Sequence, residues 1–142
     1  MHRHTIDMAS LPVIPELRCI GLLCGDITKL DDAPKNYSIS DRVAVLEIDP
    51  AYSDALLGIK PGAIVVVLFW LHLADRNVLQ VYPRGDRSRG LHGVFATRSP
   101  ARPNPIALSE FEVLAIEGLR ITVAGVDVLD QTPILDIKKK IE

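Results

Sequence analysis

Ala63-Ile64-Val65-Val66-Val67-Leu68-Phe69-Trp70-Leu71 is the longest apolar run in the chain, and it stops at His72. Its nine residues are less than half of the roughly 20 that a membrane-spanning helix needs. The valines at 65, 66 and 67 favour a strand, because β-branched side chains pack well on a pleated surface. With no polar interruption, residues 63–72 read as a strand buried on both faces. Periodicity alone leaves a buried helix open.

Outward from this run the punctuation is dense and the segments are short. Strands are expected at 18–26, 42–48, 77–82, 91–97, 106–116, 119–124, 126–129 and 133–137. Glu117-Gly118 makes a hairpin turn between two of them, and Ala51 to Leu57 a helical turn that ends at Gly58. Lys29 to Ser40, with Asp31, Asp32, Pro34 and Asn36, reads as a loop. About eight short strands and no long amphipathic helix predict an all-β fold: a small closed or nearly closed β-barrel with short helical turns. Residues 1–17 are expected to form a flexible N-terminal arm, and residues 18–142 a single domain.

Composition bounds the function. A chain of 142 residues, 48% hydrophobic and 24% charged, buries enough surface for one core and is not disordered as a whole. A net charge of −2 excludes a strongly cationic nucleic-acid coat. Met1-His2-Arg3-His4 opens no apolar segment, so no signal peptide is expected. Cys19 and Cys24 are too few for a disulfide framework, and a reduced, cytoplasmic protein is expected.

The charge is unevenly spread. Arg76, Arg84, Arg87, Arg89, Arg98 and Arg102 share a window, residues 76–102, with one acid, Asp86. That local excess of five positive charges suits phosphate or carboxylate groups, although a solvated loop explains Arg84, Arg87 and Arg89 equally well. Arg98 and Arg102 sit among Pro100, Pro103 and Pro105, which stiffen the backbone and present Arg98 and Asn104 at set angles. A second cluster, Asp127, Asp130 and Asp136, surrounds an expected turn at Asp130 to Pro133. Asp130 is either functional or a cap for that turn. His72 and His92 are either functional or core residues. No zinc spacing, P-loop or Gly-x-Gly-x-x-Gly is present.

Gly93-Val94-Phe95-Ala96-Thr97-Arg98-Ser99-Pro100-Ala101-Arg102-Pro103-Asn104-Pro105-Ile106 resembles the signature of the TsaA-like (TrmO, YaeB) family. Phe69 to His72 and Gly125 to Lys138 are similar to that family's other two blocks, in the right order. The resemblance covers roughly residues 18–138. Ala107 stands where the family has glycine, and Lys139-Lys140 where it has proline and tyrosine.

The resemblance implies a TsaA-like barrel that uses S-adenosyl-L-methionine as a methyl donor and works as a homodimer with no membrane association. It implies tRNA as partner, with N6-methylation of threonylcarbamoyl-adenosine beside the anticodon. Bacterial members that modify tRNA continue into a further C-terminal domain. By position, His72, Leu73, Arg98, Leu108, Asp127, Val128, Leu129 and Asp130 would contact the cofactor, with Arg102 and Asn104 shaping the pocket. Arg84, Arg87 and Arg89 would face RNA, and Asp136 would be the base that deprotonates the acceptor nitrogen. The alternatives are a non-enzymatic module that binds the cofactor or a nucleotide, and a barrel kept as a scaffold for assembly.

Overall fold

The computed structural model describes residues 5–28 and 42–141, so the loop expected at 29–40 lies outside the described residues. Eight strands occur among them: β1 (Gly21–Cys24), β2 (Val43–Ile48), β3 (Ile64–Trp70), β4 (Gln80–Val81), β5 (His92–Gly93), β6 (Ile106–Glu117), β7 (Arg120–Ala124) and β8 (Pro133–Lys139). Six close into a barrel-like ring in the order β1-β2-β7-β6-β3-β8, with β8 returning to β1, and every pairing is antiparallel. β4 and β5 make a separate two-stranded ribbon. The helical segments among the described residues are short 3-10 turns, and no helix is long and apolar enough to cross a membrane.

Alternation along each strand builds the core. Leu23, Leu46, Val67, Phe69, Phe111, Val113, Ile121, Val123 and Ile134 point inward with no solvent exposure. Phe69 and Phe111 meet with ring centroids 5.9 Å apart at a 55° tilt, a geometry aromatic pairs favour. A ring this small is filled by its own side chains. Register shifts at Leu114 in β6 and Leu135 in β8 let long strands bend around the closure. At Gly21 any Cβ would lie 2.2 Å from the Glu47 carbonyl oxygen, so only glycine lets β1 approach β2 this closely.

Four sequence expectations are corrected. β3 is not buried on both faces: Val65, Val67 and Phe69 are buried, whereas Ile64, Val66, Leu68 and Trp70 lie half-exposed on the outer wall. Residues 91–97 form no full strand, because after His92–Gly93 the chain turns into a 3-10 segment at Val94–Ala96. Residues 77–82 contribute only Gln80 and Val81. Val126 to Leu129 is a loop and not a strand: Val126 and Val128 are buried in the core, and the Val126 N–H donates to the Arg42 carbonyl at 3.2 Å. The expected hairpin is present, with Gly118 at φ 59° in its turn. The 3-10 turn Pro50–Leu56 is followed by Gly58 at φ 100°.

This topology brings several strand ends together. β1, β3 and β7 finish, and β2, β6 and β8 begin, at one end of the ring. Two described connections therefore emerge together there: residues 71–105 between β3 and β6, and residues 125–132 between β7 and β8. The basic window belongs to the first and Asp127 and Asp130 of the acidic cluster to the second, whereas Asp136 lies within β8.

Candidate functional site

The proline-stiffened loop is held by its own arginine. Arg102 donates from Nε to the Ser99 carbonyl at 2.8 Å, and from Nη2 to the carbonyls of Val94 at 2.6 Å and Thr97 at 2.7 Å. Its backbone N–H donates to the Asp75 carbonyl at 3.0 Å. Those bonds leave the Arg102 guanidinium bracing the loop rather than presented to a ligand.

Asn104 is similarly engaged. Its Oδ1 accepts from Arg76 Nη2 at 3.1 Å, while Arg76 Nε donates to the Pro103 carbonyl at 2.7 Å. The Arg76 guanidinium also lies 5.1 Å from the centroid of the Trp70 ring. Arg76 thus ties the end of β3 to the start of β6, and sequence reading had counted it only as one charge in the window. Arg98, by contrast, is exposed and makes no hydrogen bond or ion pair to a described residue.

The acidic cluster splits into different roles. Asp127 Oδ1 accepts from the Ser109 hydroxyl at 2.9 Å. Burial pushes the Asp127 carboxyl above the ordinary carboxylate range, and the Ser109 bond only partly opposes this. Ser109 was missed from sequence; the signal was a polar residue at an inward position of an alternating strand, where it is 2% exposed.

Asp130 accepts from the Gly25 N–H at 3.0 Å and from Gln131 Nε2 at 3.1 Å. Its own N–H reaches the Ile27 carbonyl at 2.7 Å, and Thr132 closes the turn onto the Leu129 carbonyl. Asp130 therefore does cap a turn, and it also fastens residues 125–132 to the end of β1. Val128 is buried, and the half-buried Leu129 packs against the core.

His72 and Leu73 lie exposed just past β3, where the Leu71 N–H donates to the Pro105 carbonyl at 2.8 Å. Leu108 and Asp136 stand apart from the loops. Both pair with Leu68, from opposite sides, so the row Leu108–Leu68–Asp136 crosses the outer wall of the ring. The Asp136 carboxylate accepts from the Ile137 N–H at 2.9 Å and lies 3.1 Å from Lys138 Nζ.

The three arginines expected to meet RNA share the loop between β4 and β5. Arg87 lies 4.9 Å from the Tyr82 ring centroid, Arg89 is 3.6 Å from Asp86, and Arg84 is exposed at φ 55°. Both cysteines are free thiols, and the described residues hold no cluster of three or more metal-ligating side chains.

A closed antiparallel ring of six strands defines a small β-barrel domain. Residues 24–142 match the tRNA-methyltransferase O N-terminal domain, and the chain belongs to that family. Its curated relatives include a "Probable S-adenosyl-L-methionine-binding protein" of Methanothermobacter thermautotrophicus, 43% identical over 122 residues. That match covers 86% of this chain and 87% of the relative. An "S-adenosyl-L-methionine-binding protein" of Archaeoglobus fulgidus is 40% identical, over 87% of each chain. Among solved structures, TrmO from Pseudomonas aeruginosa superposes with a TM-score of 0.75 at 28% identity and covers 91% of this chain. The present chain spans 57% of that protein's length.

Proposed function

We propose that this chain binds S-adenosyl-L-methionine at the loop end of the ring and transfers its methyl group to tRNA. The acceptor proposed is N6 of threonylcarbamoyl-adenosine beside the anticodon, with two copies forming the working unit in the cytoplasm. The observation that carries the cofactor reading is Arg98, a cation without an internal partner among the described residues. It stands on a loop that the neighbouring Arg102 holds in place. A free carboxylate such as that of methionine suits it.

The remaining residues fit the same ligand. Leu73 and Ile106, 78% and 39% exposed, supply apolar surface for an adenine at the loop end, and Leu108, 41% exposed, extends it onto the adjoining outer wall. Asp127 and the backbone carbonyls of Val128 and Asp130 supply oxygens suited to a sulfonium and a ribose. When bound, the cofactor supplies an electrophilic methyl group, whose transfer needs alignment more than covalent help.

The acceptor nitrogen must lose a proton. Asp127 suits that task better than Asp136, because burial raises its proton affinity and Ser109 orients it. Asp136 is instead neutralised by Lys138 on the outer wall. The half-exposed apolar stripe Ile64, Val66, Leu68 and Trp70 supports a copy–copy contact.

The test is thermal unfolding with and without S-adenosyl-L-methionine, for the parent and Arg98→Ala. Ligand at 100 times its dissociation constant adds about 2.7 kcal/mol. For a chain of 142 residues this is roughly 5–10 °C in midpoint. The parent is expected to shift and the variant not to. A parent with no shift at millimolar ligand refutes the cofactor reading. Methyl transfer to tRNA that carries threonylcarbamoyl-adenosine, and none to tRNA lacking it, tests the acceptor.

A further inference from the structure

Phe95 breaks the pattern of burial in this molecule. The other phenylalanines, Phe69 and Phe111, are fully buried, whereas Phe95 is 86% exposed. It is nevertheless held on a well-braced turn. Its predecessor Val94 is 2% exposed, and the Val94 N–H donates to the Leu79 carbonyl at 2.9 Å. The Val94 carbonyl accepts from the Thr97 N–H at 3.1 Å, the Thr97 hydroxyl at 3.0 Å and Arg102 Nη2 at 2.6 Å. The backbone on both sides of Phe95 is thus fixed while its ring packs on nothing that hides it from water.

The chain on both sides of Phe95 is rich in arginine. The loop bearing Arg84, Arg87 and Arg89 joins β4 to β5, and β5 runs directly into the turn that carries Phe95. Arg98, unpaired among the described residues, follows three positions later. A rigidly presented aromatic face beside backbone-binding cations is how proteins hold unpaired bases: the ring stacks while arginines meet phosphates. A bare apolar contact would not need this arginine setting.

We propose that Phe95 is a stacking platform for an unpaired nucleobase of an RNA bound at the loop end of the ring. The proposal rests on the reading of this chain as acting on tRNA. It adds a base-holding residue beyond the cofactor pocket.

The experiment measures binding of an anticodon stem–loop RNA, with an unpaired adenosine in its loop, to the full chain. Parent, Phe95→Ala, Phe95→Leu and Phe95→Trp are compared, with the S-adenosyl-L-methionine thermal shift and the sedimentation coefficient of each. Phe95→Ala and Phe95→Leu are expected to weaken RNA binding by roughly 5- to 150-fold. Phe95→Trp should keep the affinity, and RNA should quench the added tryptophan beyond any quenching of Trp70 seen in the parent. The cofactor shift and the sedimentation coefficient should not move.

A parent that binds RNA, with Phe95→Leu or Phe95→Ala binding equally well, overturns the platform and leaves the tRNA reading intact. Loss of the cofactor shift in Phe95→Ala reassigns the ring to the cofactor pocket, and a changed sedimentation coefficient reassigns it to a contact between copies. Either result overturns the proposal. A parent that binds no RNA refutes the tRNA reading itself.

Discussion

Replacing Arg102 by alanine removes the brace of the loop that carries Arg98. The guanidinium makes three hydrogen bonds, to the carbonyls of Ser99, Val94 and Thr97, through two of its nitrogens. Hydrogen bonds from a charged donor contribute about 1.5–3 kcal/mol each. Arg102 is only partly buried, so the low end applies. The two bonds on Nη2 share one nitrogen and are counted together. The loss is then about 3 kcal/mol. Unfolding entropy of about 2.1 cal/mol/K per residue gives roughly 0.3 kcal/mol/K for 142 residues, so the midpoint should fall by about 10 °C.

The assay is thermal unfolding without ligand, with hydrogen exchange at the Val94 and Thr97 amides as a local readout. Arg102→Lys should recover only part of the loss, because one ammonium cannot reach three carbonyls in a fixed plane. An unchanged midpoint together with unchanged protection at both amides would refute the bracing argument. Arg102 would then be free to serve the ligand directly.

Three further outcomes follow from the same structure. Gly21→Ala should cost about 3 kcal/mol or more in chemical denaturation, because its Cβ would meet the Glu47 backbone at 2.2 Å; Gly93→Ala, with nothing nearer than 3.9 Å, should be nearly silent. Asp127 is raised by burial, so the folded state holds its proton more tightly than the unfolded one, and stability is lost as pH rises from the ordinary carboxylate range through the raised value. Asp127→Asn should therefore unfold at a higher temperature than the parent near neutral pH, with the gap closing on acidification; a gap independent of pH would contradict this. Exchanging Arg87 and Arg89 together for alanine should weaken RNA binding and flatten its dependence on salt, and a salt slope equal to the parent's would remove those residues from the RNA surface.

Much of this protein is decided locally. The valines of β3, the Glu117-Gly118 turn and the Pro/Gly punctuation specify short strands and a hairpin through side-chain shape and allowed φ, which act within a few residues. The Gly93 to Ile106 signature, the Asp127 to Asp130 run and the arginine window were legible for the same reason, since each is contiguous. Residues 91–97 and 126–129 misled because apolar residues there serve as plugs rather than ladder partners: Val94, Val126 and Val128 are buried from loops.

The tertiary structure decided what each of those residues does. Only closure of the ring shows that β3 has a wet face, since burial on both sides needs a second layer that an antiparallel ring does not supply. Only the long-range bonds separate Arg102, held by three carbonyls of its own loop, from Arg98, which no described residue holds. Ser109 beside Asp127, and Arg76 between Trp70 and Asn104, are contacts between residues distant in sequence, which no spacing rule encodes. Composition and short-range pattern determine which elements form; which polar groups are left for a ligand depends on which partners the fold brings within hydrogen-bonding distance.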